Sequence, residues 1–375
     1  MLVDSEEDLL YWLAAMELPS IRPLKFLRYL AHFATIKEFF HASTDVLRAF
    51  GVSAKEIEVL RQPPWATAEK SLRWRHAPDR RILPFTHPDY PARLRELPDA
   101  PLVLFVEGDA SLLSAPQIAI VGTRKPSVYG KALAQTLAAE LAEAGLVITS
   151  GLALGVDGAS HEGAMRHGKT LAVMGTGCLH IYPERHKALA RHIVEHGALI
   201  SELNPEAGPH ARHFPLRNRI ISGLSLGVLV IEAAERSGSL ITARMALEQG
   251  RDVFAVPGSV YNPLTKGSHG LIQQGAKLVT SAQDVLEEYP HLLQKSDRKA
   301  AGVSCQSAAK LPANYRDLLT KIGHDTAPLT TIISRSGLTA GQVSSMLLQL
   351  ELQGYVVQVS GGYVLCPINR NDKVW

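Results

Sequence analysis

Cysteine is scarce in this chain: Cys178, Cys305 and Cys366 are the only three among 375 residues, widely spaced and odd in number. They make neither a disulfide framework nor a paired zinc pattern, which excludes a disulfide-stapled secreted scaffold and fits a reducing compartment. Long apolar runs are missing as well, so no segment reaches the roughly 20 residues that a membrane-spanning helix needs. The opening Met1-Leu2-Val3-Asp4 turns acidic at once and has no positive n-region or small-residue cleavage site. No signal peptide is expected, and a cytoplasmic location is. Charge of one sign is lacking too: 39 Lys and Arg against 36 Asp and Glu leave a net charge of +3. Any basic footprint for nucleic acid must therefore be local. Both common mononucleotide signatures, G-x-G-x-x-G after the first strand and G-x-x-x-x-G-K-[ST], are absent. So is the G-x-S-x-G elbow of a serine nucleophile.

Histidine is plentiful, with 15 residues, but its spacing does not suggest a metal. His161 and His167 stand six apart rather than in H-E-x-x-H, and His186, His192 and His196 fall on a solvated helix. Neither a metal site nor a cofactor is expected.

What is present divides into segments. Residues 1–78 read as a small helical domain: apolar positions recur at helical spacing over 8–13 and 23–30, and a third helix over 43–50 is framed by Ser43 or Thr44 as N-cap and Gly51 as stop. Residues 79–290 alternate strands with helices. Apolar runs at 117–121, 146–149, 170–174, 198–201, 227–231 and 252–256 are separated by helical stretches at 131–144, 159–167, 187–196 and 240–249. Continuous apolar strands in βαβ repetition predict an α/β fold, a doubly wound parallel sheet covered on both faces. Residues 291–311 are polar and read as a linker. Residues 312–375 predict a helix-turn-helix followed by a β-hairpin around Gly361-Gly362, that is, a winged helix.

In such sheets ligands bind outside the carboxyl ends of the strands, and the glycines fall there. Gly122-Thr123-Arg124-Lys125-Pro126-Ser127 follows the first apolar run. Ser150-Gly151-Leu152-Ala153-Leu154-Gly155-Val156-Asp157 follows the second, and Gly175-Thr176-Gly177 the third. Helix N-termini favour anions and glycine permits close backbone approach, so the three loops predict a phosphate-binding rim. Tight βα turns alone would explain one or two of them. A second constellation, Arg212-His213-Phe214-Pro215-Leu216-Arg217-Asn218-Arg219, places three arginines beside an aromatic ring, the equipment of a groove for single-stranded nucleic acid. Arg217 and Arg219 cannot share a helical face, so one is expected to meet the ligand and the other to brace a loop. Ser237-Gly238-Ser239 caps the next helix, and Lys266 offers a further phosphate contact.

Together Ile120-Val121-Gly122-Thr123-Arg124, the 150–157 loop, Phe214-Pro215-Leu216-Arg217-Asn218-Arg219-Ile220-Ile221, Ser237-Gly238-Ser239-Leu240-Ile241-Thr242-Ala243 and Phe254-Ala255-Val256-Pro257-Gly258 resemble the DNA-processing protein A family (DprA, also called Smf). The resemblance spans roughly 80–370, with five motifs in order. It implies an extended Rossmann-like domain that binds single-stranded DNA, protects it and dimerises. It also implies partnership with the RecA recombinase, loaded onto that DNA during natural transformation and recombination. Arg124 becomes the main phosphate ligand, with Lys187 after Tyr182-Pro183 and Arg212 as further basic contacts, and Phe214 as a stacking platform or buried anchor. No catalytic residue is implied.

Two departures qualify this. The N-terminal domain resembles a helix-hairpin-helix-like or SAM-like module, but Ser20 and Arg22 stand where a DNA-gripping turn has glycines. The would-be recognition helix, 339–350, contains no Lys or Arg, whereas a duplex reader needs phosphate-neutralising side chains, so the winged helix reads as a partner or packing surface. The alternative is a Rossmann-like nucleotide hydrolase with Glu232 as its carboxylate, although Arg236-Ser237-Gly238-Ser239 replaces the glycine-rich loop of such enzymes.

Overall fold

The computed structural model describes residues 5–19, 21–290, 311–322, 327–353, 355–359 and 362–365. Ser20, Cys305, Cys366, Gly361 and all of the expected linker except Leu311 lie outside them.

The chain begins with α1 (Glu6–Met16), α2 (Pro23–Leu30), α3 (Ile36–His41), α4 (Thr44–Ala49), α5 (Ala54–Arg61) and α6 (Trp65–Trp74). Ser43 caps α4 as the sequence suggests, its hydroxyl accepting from the amide of Val46, and Gly51 (φ +82°) follows the helix. The sequence reading did not include α3 and α5, which Thr35 and Ser53 cap, Ser53 in a reciprocal box with Glu56. Their apolar faces enclose a core of Trp12, Phe26, Phe39 and Phe40 that continues onto Val103 and Phe105 of the sheet.

That sheet has nine strands: β1 (Arg80–Pro84), β2 (Val103–Gly108), β3 (Gln117–Val121), β4 (Val147–Ser150), β5 (Thr170–Val173), β6 (Gly197–Ser201), β7 (Gly227–Val230), β8 (Asp252–Ala255) and β9 (Lys277–Leu278). Their spatial order is β1-β2-β6-β5-β4-β3-β7-β8-β9. The six apolar runs of the sequence are β3 to β8, which pair in parallel along with β9. The sheet is nevertheless mixed, because β1 pairs antiparallel with β2 and β2 antiparallel with β6. Neither β1 nor β2 is among the apolar runs read in the sequence; β1 carries Arg80, Arg81 and Pro84, which an edge strand tolerates.

Helices α7 (Ala92–Arg95), α8 (Val128–Glu143), α9 (Val156–Ala164), α10 (Lys187–His196), α11 (His213–Leu224), α12 (Gly238–Glu248), α13 (Lys266–Gln273) and α14 (Ala282–Leu286) alternate with the strands. One face of the sheet buries Val121 and Val230 against Leu94, Ile220 and Ala243, and the other buries Ile118 and Ile120 against Leu137, Ala159 and Val285. Each such side chain contributes about 1.5–3 kcal/mol on burial. From β3 the chain winds through β4, β5 and β6 in one direction, then crosses to β7 and β8 on the other. The switch point of the winding is thus between β3 and β7, where an open α/β sheet leaves a crevice.

Beyond residue 310, α15 (Ala313–Ile322), α16 (Leu329–Ser336) and α17 (Ala340–Leu352) pack around Leu318, Ile332, Leu347 and Leu350. The antiparallel ribbon of β10 (Val356–Val359) and β11 (Gly362–Leu365) completes the winged helix.

Candidate nucleic-acid interface

A cleft of about 630 Å³ opens at the switch point. Gly122, Thr123 and Arg124 enter it from the end of β3, Phe214, Arg217 and Asn218 from α11, and Ser237, Gly238 and Ser239 from the start of α12. Nine of the sequence-predicted residues therefore meet in one place.

The loop after β3 is fixed from below. Thr123 donates its amide to the carbonyl of Glu232 (2.8 Å) and accepts at its own carbonyl from Val156 (3.2 Å). Gly155 (φ +84°) lies directly under the Arg124 backbone, and a Cβ there would come within 2.7 Å of the Arg124 carbonyl. Held this way, Arg124 projects outward, exposed, with its guanidinium over the Phe214 ring at 5.9 Å. No carboxylate among the described residues pairs with it. The Phe214 ring in turn lies on Gly175, where an added Cβ would meet Cδ1 at 2.6 Å. Tyr182 flanks the same ring at 5.5 Å and is 45% exposed. Arg124, Phe214 and Tyr182 thus form a cationic and aromatic ledge along one wall.

The glycine rim differs from the sequence reading in its helix ends. Glu232, buried, accepts at Oε2 from the amide of Ser127 (2.8 Å) and at Oε1 from its hydroxyl (2.6 Å). Its carboxylate thereby occupies the N-terminus of α8, and Gly130 is the glycine that makes room for it. Asp157, in the first turn of α9, satisfies the loop before that helix, its Oδ2 accepting from the amides of Gly151 (3.2 Å) and Ala153 (3.3 Å). The third loop leads into no helix directly: Gly175 and Gly177 are buried, and Gly177 packs on the backbone of Asn204 and Pro205. Internal carboxylates thus satisfy two of the expected phosphate seats. The N-terminus of α12 is different. Ser237 is its N-cap, its first turn holds no acidic residue, and Gly238 is exposed on the cleft. A helix end of this kind attracts an anion.

Arg217 and Arg219 both point inward. Arg217, 5% exposed, donates through Nη1 to the carbonyls of Gly151 (2.6 Å) and Val173 and through Nε to Oδ1 of Asn218 (3.1 Å). It ties together the ends of β4 and β5, and Gly151 has no side chain because the guanidinium lies where a Cβ would go. Burial pulls its pKa down to about 10, with Asp157 opposing, so it stays cationic at neutral pH. Burial pushes Asp157 up, against the pull of Arg217. Arg219 lies outside the cleft, pairing with Glu202 and with Asp99 (3.2 Å). Burial also raises the Glu202 carboxyl, which Arg219 opposes.

The remaining predicted residues do not line the cleft. Lys125 and Arg212 are exposed, and Ser127 is the N-cap of α8. Lys187 is exposed and pairs with Glu184 (3.3 Å). Lys266 opens α13 and borders a separate cavity of about 590 Å³ with Glu235 and Arg244. The cleft also contains Tyr182, His210 and Thr242, which the sequence reading left out. Tyr182 carried a signal, an exposed aromatic before a proline in a polar stretch. Thr242 carried only its place in the 237–243 motif, and His210 carried none.

A doubly wound, mostly parallel sheet with an open cleft at its switch point and a C-terminal winged helix defines a Rossmann-like α/β protein. Residues 81–290 match DNA recombination-mediator protein A, and residues 304–362 match the DprA winged helix domain. The chain belongs to the DprA/Smf family. It is 40% identical to protein Smf of Escherichia coli over 380 residues, covering 99% of each chain. It is 51% identical to the DNA processing protein DprA of Bacillus subtilis over 210 residues, 56% of this chain and 71% of that one. Among solved structures it is similar to the X-ray structure of DNA processing protein A from Streptococcus pneumoniae, with a TM-score of 0.64 and 39% identity over 77% of this chain and 99% of that one. It also resembles DNA processing protein A of Helicobacter pylori, described for its single-stranded DNA binding mode, with a TM-score of 0.50 and 33% identity over 54% of this chain and 93% of that one.

Proposed function

We propose that this chain is a non-catalytic binder of single-stranded DNA that protects the strand and hands it to the RecA recombinase in transformation and recombination. The observation that carries the DNA reading is Arg124, exposed, with no carboxylate partner among the described residues and with its guanidinium over Phe214, in a cleft that also receives the N-terminus of α12. Phosphates lie between Arg124 and Gly238-Ser239, with Arg212 and Lys125 beside them. Bases stack on Phe214 and Tyr182, each stack worth about 1–3 kcal/mol. Arg217 is a positioning residue that holds the loops beneath. Family membership supports recombinase delivery and a homodimer formed through the Rossmann-like domain at 79–290, with 312–375 serving as a partner surface. Glu232 supports the non-catalytic reading, because both of its oxygens are engaged by Ser127.

The test is oligothymidine binding by Arg124→Ala across a salt series. Loss of one phosphate contact is expected to weaken binding and to flatten the slope of log K against log salt by about 0.7. A folded variant with unchanged affinity and slope would remove Arg124, and with it this cleft, from DNA binding.

A further inference from the structure

The last turn of α10 carries His192, Glu195 and His196, all exposed, with one ligand atom from each within 4.8 Å of the other two. In sequence this is His192-Ile193-Val194-Glu195-His196, the reverse of the H-E-x-x-H order. Residues three and four apart share a helical face, which brings both rings and the carboxylate together. The apolar pair between them faces the other way, with Ile193 fully buried.

Three further observations bear on what this face holds. Nδ1 of His196 lies 3.0 Å from the carbonyl of His192, an acceptor only, so Nδ1 carries the proton and Nε2 keeps its lone pair outward. A ring oriented by a backbone carbonyl with its far nitrogen free is the usual arrangement of a metal-ligating histidine. Nδ1 of His192 stands 3.7 Å from Oε2 of Glu195, with side chains 66% and 63% exposed. Two donors on one zinc ion are separated by about 3.4 Å, so small rotations of free side chains close the set. Finally, His196 ends the helix and Gly197 begins β6, so the three groups stand at the C-terminal, negative end of the α10 dipole, which favours a cation.

We propose that the last turn of α10 binds one divalent transition-metal ion of the zinc class through His192, Glu195 and His196, with water completing the shell. Two imidazoles and one carboxylate select zinc, nickel or copper over magnesium and calcium, which take oxygen ligands. The site is separate from the DNA cleft. Strand β6 runs parallel to β5, β4 and β3, so the end of α10 lies at the amino end of the sheet and the cleft at the carboxyl end.

The experiment uses the full chain without an affinity tag, dialysed against Zn²⁺ and, in parallel, Mg²⁺. Zinc binding is expected at this site, Mg²⁺ should not displace it, and His192→Ala with His196→Ala together should abolish one bound ion per chain. Glu195→Gln should weaken that ion at least tenfold while both imidazoles remain. A Co²⁺-substituted chain should show visible absorption bands that the double variant lacks. Oligothymidine affinity and Tm without metal should stay at wild-type values, which shows that the variants fold. The proposal is overturned if the wild type binds no zinc, if Mg²⁺ competes on equal terms, or if the folded double variant retains the same number of ions and the same affinity.

Discussion

Replacing Arg217 by methionine keeps the length and removes every donor, and the expected result is a large loss of stability in an otherwise well-packed protein. In the native structure its guanidinium donates to the carbonyls of Gly151 and Val173, which lie 66 and 44 residues away in sequence, and it is the main counter-charge to the buried Asp157. Without it the two carbonyls lose a buried donor at about 1–3 kcal/mol each. Asp157 keeps its two amide donors and the influence of Arg124 but loses the stronger of its two cations, which adds to the cost of its burial. These terms overlap, so a total of about 3–5 kcal/mol is expected, or roughly 6–20 °C in Tm for a unit of this size. Arg217→Lys should fall between the two, because one ammonium cannot reproduce a planar fork that reaches two strand ends. Adding Asp157→Asn to the methionine variant should recover part of the loss by removing the stranded charge. The assay is thermal unfolding at neutral pH with oligothymidine binding of the folded variants measured in the cold. If Arg217→Met leaves Tm at the wild-type value and weakens DNA binding alone, Arg217 is a ligand contact and the bracing role is wrong.

Three other outcomes follow from the same geometry. Glu232→Gln removes the charge at the N-terminus of α8 and should lower stability by about 1–2 kcal/mol, read as a shift in Tm, with oligothymidine binding retained; loss of a nucleotide-hydrolysing activity in that variant would instead favour an enzyme. Gly175→Ala puts a Cβ 2.6 Å from the Phe214 ring and should displace it from Arg124; affinity for single strands should fall by up to about 1–3 kcal/mol, and unchanged affinity would count against the aromatic ledge. His161 is fully buried, with Nδ1 2.6 Å from the Thr170 hydroxyl and Nε2 without a partner among the described residues, and burial lowers its pKa to about 3. Because the folded value lies below the unfolded one near 6.5, its contribution is complete above pH 6.5 and is lost as pH falls toward 3, by about 1.4 kcal/mol at pH 5.5. His161→Gln should therefore flatten the dependence of Tm on pH across that window, and a slope equal to that of the wild type would refute the assignment.

The sequence reveals the sheet where burial is continuous and hides it where charge is paired at long range. Strands β3 to β8 are legible because each is buried on both faces along most of its length, so nearly every position is apolar or small, Gln117 and the exposed Asp252 being the exceptions. Helix α11 is not, because its inward face carries Arg217 and Arg219, and nothing local says that a guanidinium finds its partners at Gly151, Val173, Glu202 and Asp99. The same limit applies to the glycine rim. That a helix N-terminus follows each of the first two loops is a local fact, but whether it is vacant depends on Glu232, 105 residues from Ser127. Asp157 was nearer to legible, since an acidic residue in the first turn of a helix satisfies the loop amides before it. The cleft is consequently less a rim of three equal phosphate seats than one open helix end together with one arginine that has no carboxylate partner among the described residues. Glu232 holds the Arg124 loop through Ser127 and Asp157 holds the loop at 151–153, and single-strand affinity should depend on both through the stability of those loops rather than through contact with the strand.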